Sequence, residues 1–232
     1  MPSDGTFPLH ELCREGQASE VRALVDEQPD LVLKKDLDSR YPLHWAISYQ
    51  HVDIIEFLLS RMQNVDLDDL VDDSGWSPVH IACSVGNIDV VTKLLNHSTK
   101  PDVNLTTTQG ISALHLACSK QHLSIARLLT QEGASVRLKD ARNQVPLHRA
   151  ASIGSLPLVD LLCQNKSPVN IKDVQGWTPL FHALSEGHGD VAVALVQKYN
   201  ADFVDLRDVD GKSPLDVAAD EKVKDYFLHN TK

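Results

Sequence analysis

The sequence lacks the long apolar segments and the excess of cations that mark two common classes of protein. No apolar run in its 232 residues approaches the ~20 needed to cross a bilayer, and its start has no basic or apolar region of the kind that directs export. Lysine and arginine number 22 against 32 aspartate and glutamate, a formal net charge of −10. Because a phosphate backbone is bound by clustered cations, we expect no nucleic-acid partner, no membrane partner, and an acidic surface that meets a basic protein.

Cysteines are also few, and none is spaced as a redox or metal pair. Cys13, Cys83, Cys118 and Cys163 include no C-x-x-C motif. In a chain without an export signal we expect reduced thiols and no disulfide framework. With 42% hydrophobic and 23% charged residues, the chain can bury a sizeable core as one elongated domain or at most two compact ones.

What the sequence does contain is a repeat. A Pro-Leu-His-like segment begins at residues 8, 42, 78, 113, 146, 179 and 214. A small alanine follows four residues after all but the first of these starts. Each start after the first is preceded three residues earlier by a residue that accepts positive φ in a tight turn: Ser39, Gly75, Gly110, Asn143, Gly176 or Gly211. Ser77-Pro78 and Thr178-Pro179 predict an N-cap followed by a helix start. Each unit is therefore predicted to be turn, helix, loop, helix.

This pattern resembles the ankyrin repeat, as GWSPVHIA at residues 75–82 and GWTPL at residues 176–180 illustrate. The resemblance implies an all-α fold: an ankyrin-repeat solenoid of seven helix–loop–helix units with β-turn or hairpin tips, forming a single domain over residues 1–232. The predicted units cover approximately residues 3–35, 36–71, 72–106, 107–139, 140–172, 173–206 and 207–232.

Histidines and cysteines that recur in one phase of a repeat are interpreted as framework. His10, His44, His80, His115 and His148 share one phase, and we expect their rings to bond to turn backbone. His51, His122 and His188 share a second phase, with the same interpretation. Cys83 and Cys118 are expected to be small core residues. We therefore predict no catalytic residue, no metal site and no cofactor.

Function is expected where the repeat varies, at the turn tips and at the end of each first helix, which would line a concave ridge. The predicted protein-binding residues are Asp4, Asp38, Arg40, Tyr49, Asp72, Asp73, Trp76, Lys120, Arg142, Trp177, Glu186 and Lys212. Trp76 and Trp177 are the favoured anchors, with packing against the neighbouring turn as the alternative for each. Residues 1–116 hold 18 acids and 8 bases, whereas residues 117–232 hold 14 of each, which predicts an acidic amino-terminal surface.

Four segments are similar to gankyrin and its fungal counterparts, a family of assembly chaperones of the proteasome regulatory particle. These are DLDSR at 36–40 leading into LHWA at 43–46, DDSGWSPVHIACSVGN at 72–87, PLHRAA at 146–151 and GWTPLFHA at 176–183. The family is understood to clasp the carboxy-terminal domain of one AAA ATPase subunit of the proteasome base. The resemblance implies acidic and aromatic contacts from Asp38, Asp73 and Trp76, and cationic contacts from Arg40 and Lys120.

The function expected from this resemblance is steric. The protein would be a monomer, in cytoplasm and nucleus, that binds an ATPase tail domain and obstructs docking of the ATPase ring on the core particle. Two alternatives stay open. One is an ankyrin-repeat regulator of a kinase or transcription factor, and the other is an enzyme or metal protein.

Overall fold

Paired short helices follow the repeat along the chain. The structure is a computed structural model, and it describes residues 7–231. These residues divide into two compact units, one ending at Thr108 and the other beginning at Gln109. They hold thirteen α-helices and no strand element, which confirms the predicted all-α ankyrin-repeat fold.

In the first unit, α1 (Pro8–Glu15), α3 (Pro42–Ser48) and α5 (Pro78–Val85) are the first helices of successive repeats, and α2 (Ala18–Glu27), α4 (Val52–Arg61) and α6 (Ile88–Leu95) are the second helices. A 3₁₀ turn, Pro29–Leu33, follows α2. First helices pack on first helices, α1 on α3 and α3 on α5, while α2 packs on α4. Ala46 and Ala82 are fully buried because the small side chain lets neighbouring helices approach.

The second unit repeats this arrangement. Its first helices are α7 (Ala113–Ser119), α9 (Pro146–Ser152) and α11 (Pro179–Ser185), and its second helices are α8 (Leu123–Gln131), α10 (Leu156–Gln164) and α12 (Gly189–Gln197), followed by α13 (Glu221–Asn230). Again α7 packs on α9 and α9 on α11, with α8 on α10 and α10 on α12. Leucine and valine side chains of both helix rows, such as Leu114, Leu147 and Leu162, form a core with no exposed surface.

The predicted turns are confirmed. Ser39, Gly75, Gly110, Asn143, Gly176 and Gly211 all have φ between 59° and 78°. At Gly75 the need for glycine is strict, since a Cβ there would lie 2.8 Å from the backbone nitrogen of Thr108. The loop between the two helices turns in the same left-handed conformation, at Gly86 with φ 95° and at Gln50 with φ 61°.

Two local predictions differ from the structure. Ser77 caps α5 as expected, but Thr178 makes no cap bond and its hydroxyl oxygen is buried without a partner. In α5 the third helical residue is His80, whose Nδ1 lies 2.9 Å from the serine hydroxyl, whereas α11 has Phe181 there. The Thr178 hydroxyl therefore lacks the histidine that the Ser77 hydroxyl contacts.

The seventh repeat contains one α-helix, not the two that the prediction of seven helix–loop–helix units implies. Residues 214–217 form turns. Asp216 stands where most repeats have histidine, and its carboxylate accepts the N–H and the hydroxyl of Ser213 at 2.8 and 2.7 Å. The N–H of Ala219 donates to the carbonyl of Leu184 in the preceding repeat, at 2.9 Å. The Ala219 N–H, which would bond within the repeat if a first helix formed there, thus bonds to a neighbouring repeat instead.

Candidate protein-binding surface

One aspartate at its start organises each turn tip of the described residues except the tip that begins at Thr107. In the second repeat of the first unit, Asp36 Oδ1 accepts the N–H groups of Asp38 and Arg40 at 3.0 and 2.8 Å. The same pair of bonds, to the second and fourth following residues, is made by Asp72, Asp140, Asp173 and Asp208. An aspartate that bonds to its own following backbone holds a turn in one conformation. The side chains at these tips are therefore presented on rigid backbone.

Hydrogen bonds also join each tip to the next within a unit. In the first unit, Asp73 donates its N–H to the carbonyl of Asp38 at 3.2 Å, and Thr108 donates to Ser74 at 3.0 Å. In the second unit the donors are Ala141, Val174 and Val209, and the acceptors are Gln109, Arg142 and Gln175, at 2.8, 3.0 and 3.1 Å. These bonds align the tips of successive repeats along one edge of each unit.

The first-phase histidines pin these tips to the helices, as predicted. His44 Nδ1 accepts the N–H of Tyr41 at 3.0 Å, so Nε2 carries the proton and donates to the carbonyl of Leu70 at 3.0 Å. His148 does the same with Val145 and Trp177. Burial lowers the pKa of both rings to about 4. These histidines are therefore neutral at neutral pH, and both ring nitrogens of each are bonded to backbone groups of the fold.

Four predicted contact residues of the first unit stand at its surface. Asp38 and Asp73 are exposed and form no ion pair with any residue in 7–231. Tyr49 is 52% exposed and stacks on Trp45, with ring centroids 6.3 Å apart. Trp76 is partly exposed, and its indole N–H has no acceptor in the described part of the chain. This surface offers two carboxylates, a phenol and an indole donor.

Arg40 and Asp72, both predicted as protein-binding residues, contact each other within the first unit. Asp72 is buried, its Oδ1 holds the turn, and its Oδ2 lies 3.4 Å from Arg40 Nε. The Arg40 guanidinium also lies over the ring of Trp45, 5.4 Å from its centroid. Asp72 was predicted as a protein-binding residue, but its carboxylate is buried and is used inside the fold. Arg40 retains a partly exposed side chain that Asp72 and Trp45 hold in place.

In the second unit, four predicted residues are exposed and make no ion pair with the residues that the structure describes: Lys120, Arg142, Glu186 and Lys212. Lys120 and Glu186 end α7 and α11, whereas Arg142 and Lys212 lie in turn tips. Three of the four carry positive charge, so this surface differs in sign from the carboxylates Asp38 and Asp73 of the first unit. Asp4, also predicted, lies outside the described residues.

Trp177 packs against the neighbouring turn, the alternative left open for it. Its indole N–H donates to Asp208 at 3.0 Å, and its ring stacks on Phe181 with centroids 5.6 Å apart. At the position matching Asp208, the turn after Trp76 has Thr107. The two tryptophans therefore differ: Trp177 is bonded within the fold, whereas the indole N–H of Trp76 is available.

In three tips, the residue nine positions after the turn aspartate bonds to the same carboxylate, a contact that was not predicted from the sequence. Asp36 accepts from the Trp45 indole at 2.8 Å, Asp140 from Arg149 at 2.5 Å, and Asp173 from His182 at 3.0 Å. Burial alone would raise the pKa of Asp173, but hydrogen bonds from Gln144 and His182 outweigh it and lower that pKa. The spacing of nine from each aspartate is the signal that could have found these residues.

Chemistry beyond binding has little support in these side chains. Burial raises the pKa of the Cys13 and Cys163 thiols to about 12 and that of the Cys83 and Cys118 thiols further, so none is an activated nucleophile. Within residues 7–231 no three histidine, cysteine or acidic side chains cluster as metal ligands would. No helix in that range has the length and apolarity to span a membrane.

The chain is thus a repeat protein of stacked helix pairs. Its rigid, hydrogen-bonded turn tips carry unpaired charges of the kind that bind other proteins. The model of the family described as ankyrin repeats matches residues 1–69, 63–140 and 147–230, and the chain belongs to this family.

Among individual proteins, the chain is 55% identical over 225 residues to the probable 26S proteasome regulatory subunit p28 of Saccharomyces cerevisiae, covering 97% of this chain and 98% of that protein. The resemblance drawn from the four sequence segments is thereby confirmed.

Two further matches are more distant. The ankyrin repeat-containing protein C6C3.08 of Schizosaccharomyces pombe is 37% identical over 123 residues, which cover 52% of this chain and 51% of that protein. The crystal structure of the ankyrin repeat domain of Bcl-3, described as a member of the IkappaB protein family, matches with a TM-score of 0.77 at 25% identity, over 97% of this chain and 100% of that chain.

Proposed function

We propose that this protein is a non-enzymatic scaffold of the proteasome regulatory particle that binds the carboxy-terminal domain of a base AAA ATPase subunit. The observation that carries the proposal is that the charged residues fall into two sets, one bonded within the fold and one exposed. Turn aspartates such as Asp72 and Asp173 are buried and bonded, whereas Asp38, Asp73, Lys120 and Arg142 are exposed and unpaired among residues 7–231. Charges held on rigid backbone and left without a partner favour recognition of a complementary protein surface.

Similarity supports the choice of partner. The Saccharomyces cerevisiae relative carries the name of a 26S proteasome regulatory subunit, and the match runs along almost the whole of both chains. The segments shared with the gankyrin family include Asp38, Asp73 and Trp76, which would contact basic and apolar groups of the ATPase domain. Lys120 and Arg142 would contact its carboxylates.

The proposed mechanism is steric and reversible. While bound to the ATPase domain, the protein would hold an assembly intermediate and obstruct docking of the ATPase ring on the core particle until it is displaced. An interface of ~1,600 Å² is enough for a stable complex of this kind. The proposal includes a location in cytoplasm and nucleus, which a fluorescent fusion would test.

Co-purification from cell extract tests the partner. We expect recovery of base ATPase subunits without the finished proteasome. Recovery of a kinase or transcription factor in their place would favour the second candidate function, which the likeness to an IkappaB-family ankyrin domain supports. Absence of every base ATPase would refute the proposal.

A charge reversal tests the surface. We expect Asp73→Lys to weaken binding to the purified ATPase domain by about tenfold or more, because it replaces attraction by repulsion at the tip. Asp53→Lys is the matched control, since Asp53 is exposed on α4, away from the tips, and the charge change is equal. Equal affinity of both variants, or affinity that does not fall with salt, would contradict the proposal.

A further inference from the structure

A small pocket of about 250 Å³ lies within the second unit, between two successive turn tips. Its lining comprises Gln109, Ile111, Asp140, Ala141, Arg142 and Arg149, which we call the arginine pocket. The backbone bond from Ala141 to Gln109, 2.8 Å long, joins the two tips that form its walls. Binding sites for drug-sized ligands occupy roughly 300–1,000 Å³. The pocket is below that range and of a size to take one side chain.

Arg149 is held in a fixed orientation at this pocket. It donates from Nη2 to Asp140 Oδ2 at 2.5 Å, and the Asp140 side chain is only 3% exposed. Asp140 is itself fixed by the N–H groups of Arg142 and Gln144, at 2.8 and 2.9 Å. A guanidinium has five N–H donors in one plane, so Arg149 keeps further donors beyond the bond to Asp140. Its side chain is 28% exposed, which leaves these donors accessible.

Arg142 supplies the unbalanced charge. Its side chain is exposed and pairs with no acid among residues 7–231. One carboxylate, Asp140, therefore stands against two guanidinium groups in the lining. The pocket has one positive charge in excess, and its two arginines are of the residue type that binds carboxylates in a fork-like, bidentate manner.

We propose that the arginine pocket receives a glutamate or aspartate side chain of the protein partner, bound by the fixed guanidinium of Arg149 and closed over by Arg142. Ile111 and Ala141 provide an apolar wall for the methylene groups of that side chain. This inference rests on the proposed function for the identity of the partner, but not for the chemistry of the pocket. It adds Arg149 to the protein-binding surface and identifies the partner group bound in the arginine pocket as a carboxylate.

Affinity for the purified ATPase domain tests the pocket in its complex. We expect Arg142→Glu to weaken binding by about ten- to a hundredfold, as for a lost charge-assisted hydrogen bond turned into repulsion. Arg127→Glu is the matched control, because Arg127 is exposed on α8 and lies outside the pocket. A partner in which the contacting acid is replaced by lysine should restore binding to Arg142→Glu. Equal affinities of the two variants would overturn the proposal.

A second measurement separates failure of the pocket from failure of the proposed function. Should no ATPase domain bind the wild-type protein, the capped peptides acetyl-Gly-Glu-Gly-amide and acetyl-Gly-Gln-Gly-amide can be titrated while the Nε–H signal of Arg149 is followed by NMR. We expect a saturable shift with the glutamate peptide, none with the glutamine peptide, and loss of the shift in Arg142→Ala. Equal responses to both peptides, or saturation by a phosphoserine peptide alone, would overturn the assignment.

Discussion

Acidification should destabilise the fold through its framework histidines. His44 in the first unit and His148 in the second each accept a backbone N–H at Nδ1, so a proton on that nitrogen removes a hydrogen bond. Burial lowers the pKa of each ring from 6.5 to about 4. Between about pH 6.5 and pH 4, these two histidines therefore bind protons in the unfolded chain that they do not bind in the folded chain. Stability is retained above pH 6.5 and lost as the pH falls from about 6.5 towards 4.

The size of the effect follows from the two pKa values. Between pH 7.5 and pH 5, a histidine whose pKa changes from 6.5 to about 4 on folding lowers the free energy of unfolding by about 2 kcal/mol. His44 and His148 together predict a loss of about 4 kcal/mol, a large share of the ~5–15 kcal/mol by which domains are stable. His10, His115 and His182, whose pKa values burial also lowers, add in the same direction.

Urea denaturation at the two pH values, followed by circular dichroism, measures this loss. His44→Gln should be less stable than the wild type at pH 7.5, and the difference should shrink at pH 5, because the variant has one group fewer to titrate. His229→Gln is the control, since His229 is exposed on α13. An unfolding free energy that is unchanged or higher at pH 5 would refute the framework role of these rings.

Three further predictions concern single side chains. Thr178→Val should raise the free energy of unfolding by about 1 kcal/mol, because it removes a buried hydroxyl that has no partner; a loss of stability in thermal melts would show that the hydroxyl is bonded. Asp72→Ala should lower the unfolding free energy by ~1–3 kcal/mol, whereas Asp73→Ala should change it by under ~0.5 kcal/mol, and equal effects in urea titrations would contradict the assignment of one to the fold and the other to the surface. Cys83 and Cys118 should react with a thiol reagent at pH 8 only as fast as the protein unfolds, since burial raises their pKa and excludes the reagent; labelling faster than unfolding would be the contrary result.

The parts of the fold that recur were predictable because a repeat reports the same environment several times. The left-handed residue of each turn, the buried alanine and the bonding of His44 and His148 to turn backbone all follow from their recurrence in phase. Predictions were wrong where a repeat departs from the common pattern. Thr178 reads as a cap in isolation, but Phe181 replaces the histidine beside which the serines of other repeats lie.

The candidate surface was predictable only in part, for a related reason. The position of a residue in the sequence places it in a turn tip but does not show whether its carboxylate is buried and bonded within the fold. Asp72 and Asp73 are adjacent and chemically identical, yet one is buried against Arg40 and the other is exposed. The Arg40 to Asp72 contact joins two repeats, and the Trp177 to Asp208 bond does so as well. Such pairings depend on packing between repeats and are not written in the repeat pattern.

The three tryptophan side chains allow the most direct test of the binding surface. The indole N–H of Trp45 is bonded to Asp36 and that of Trp177 to Asp208, whereas that of Trp76 has no acceptor in residues 7–231. Addition of the purified ATPase carboxy-terminal domain to ¹⁵N-labelled protein should therefore shift the Trp76 indole signal most. If the ATPase domain binds and the Trp76 signal stays in place, the turn tips are not the contact surface.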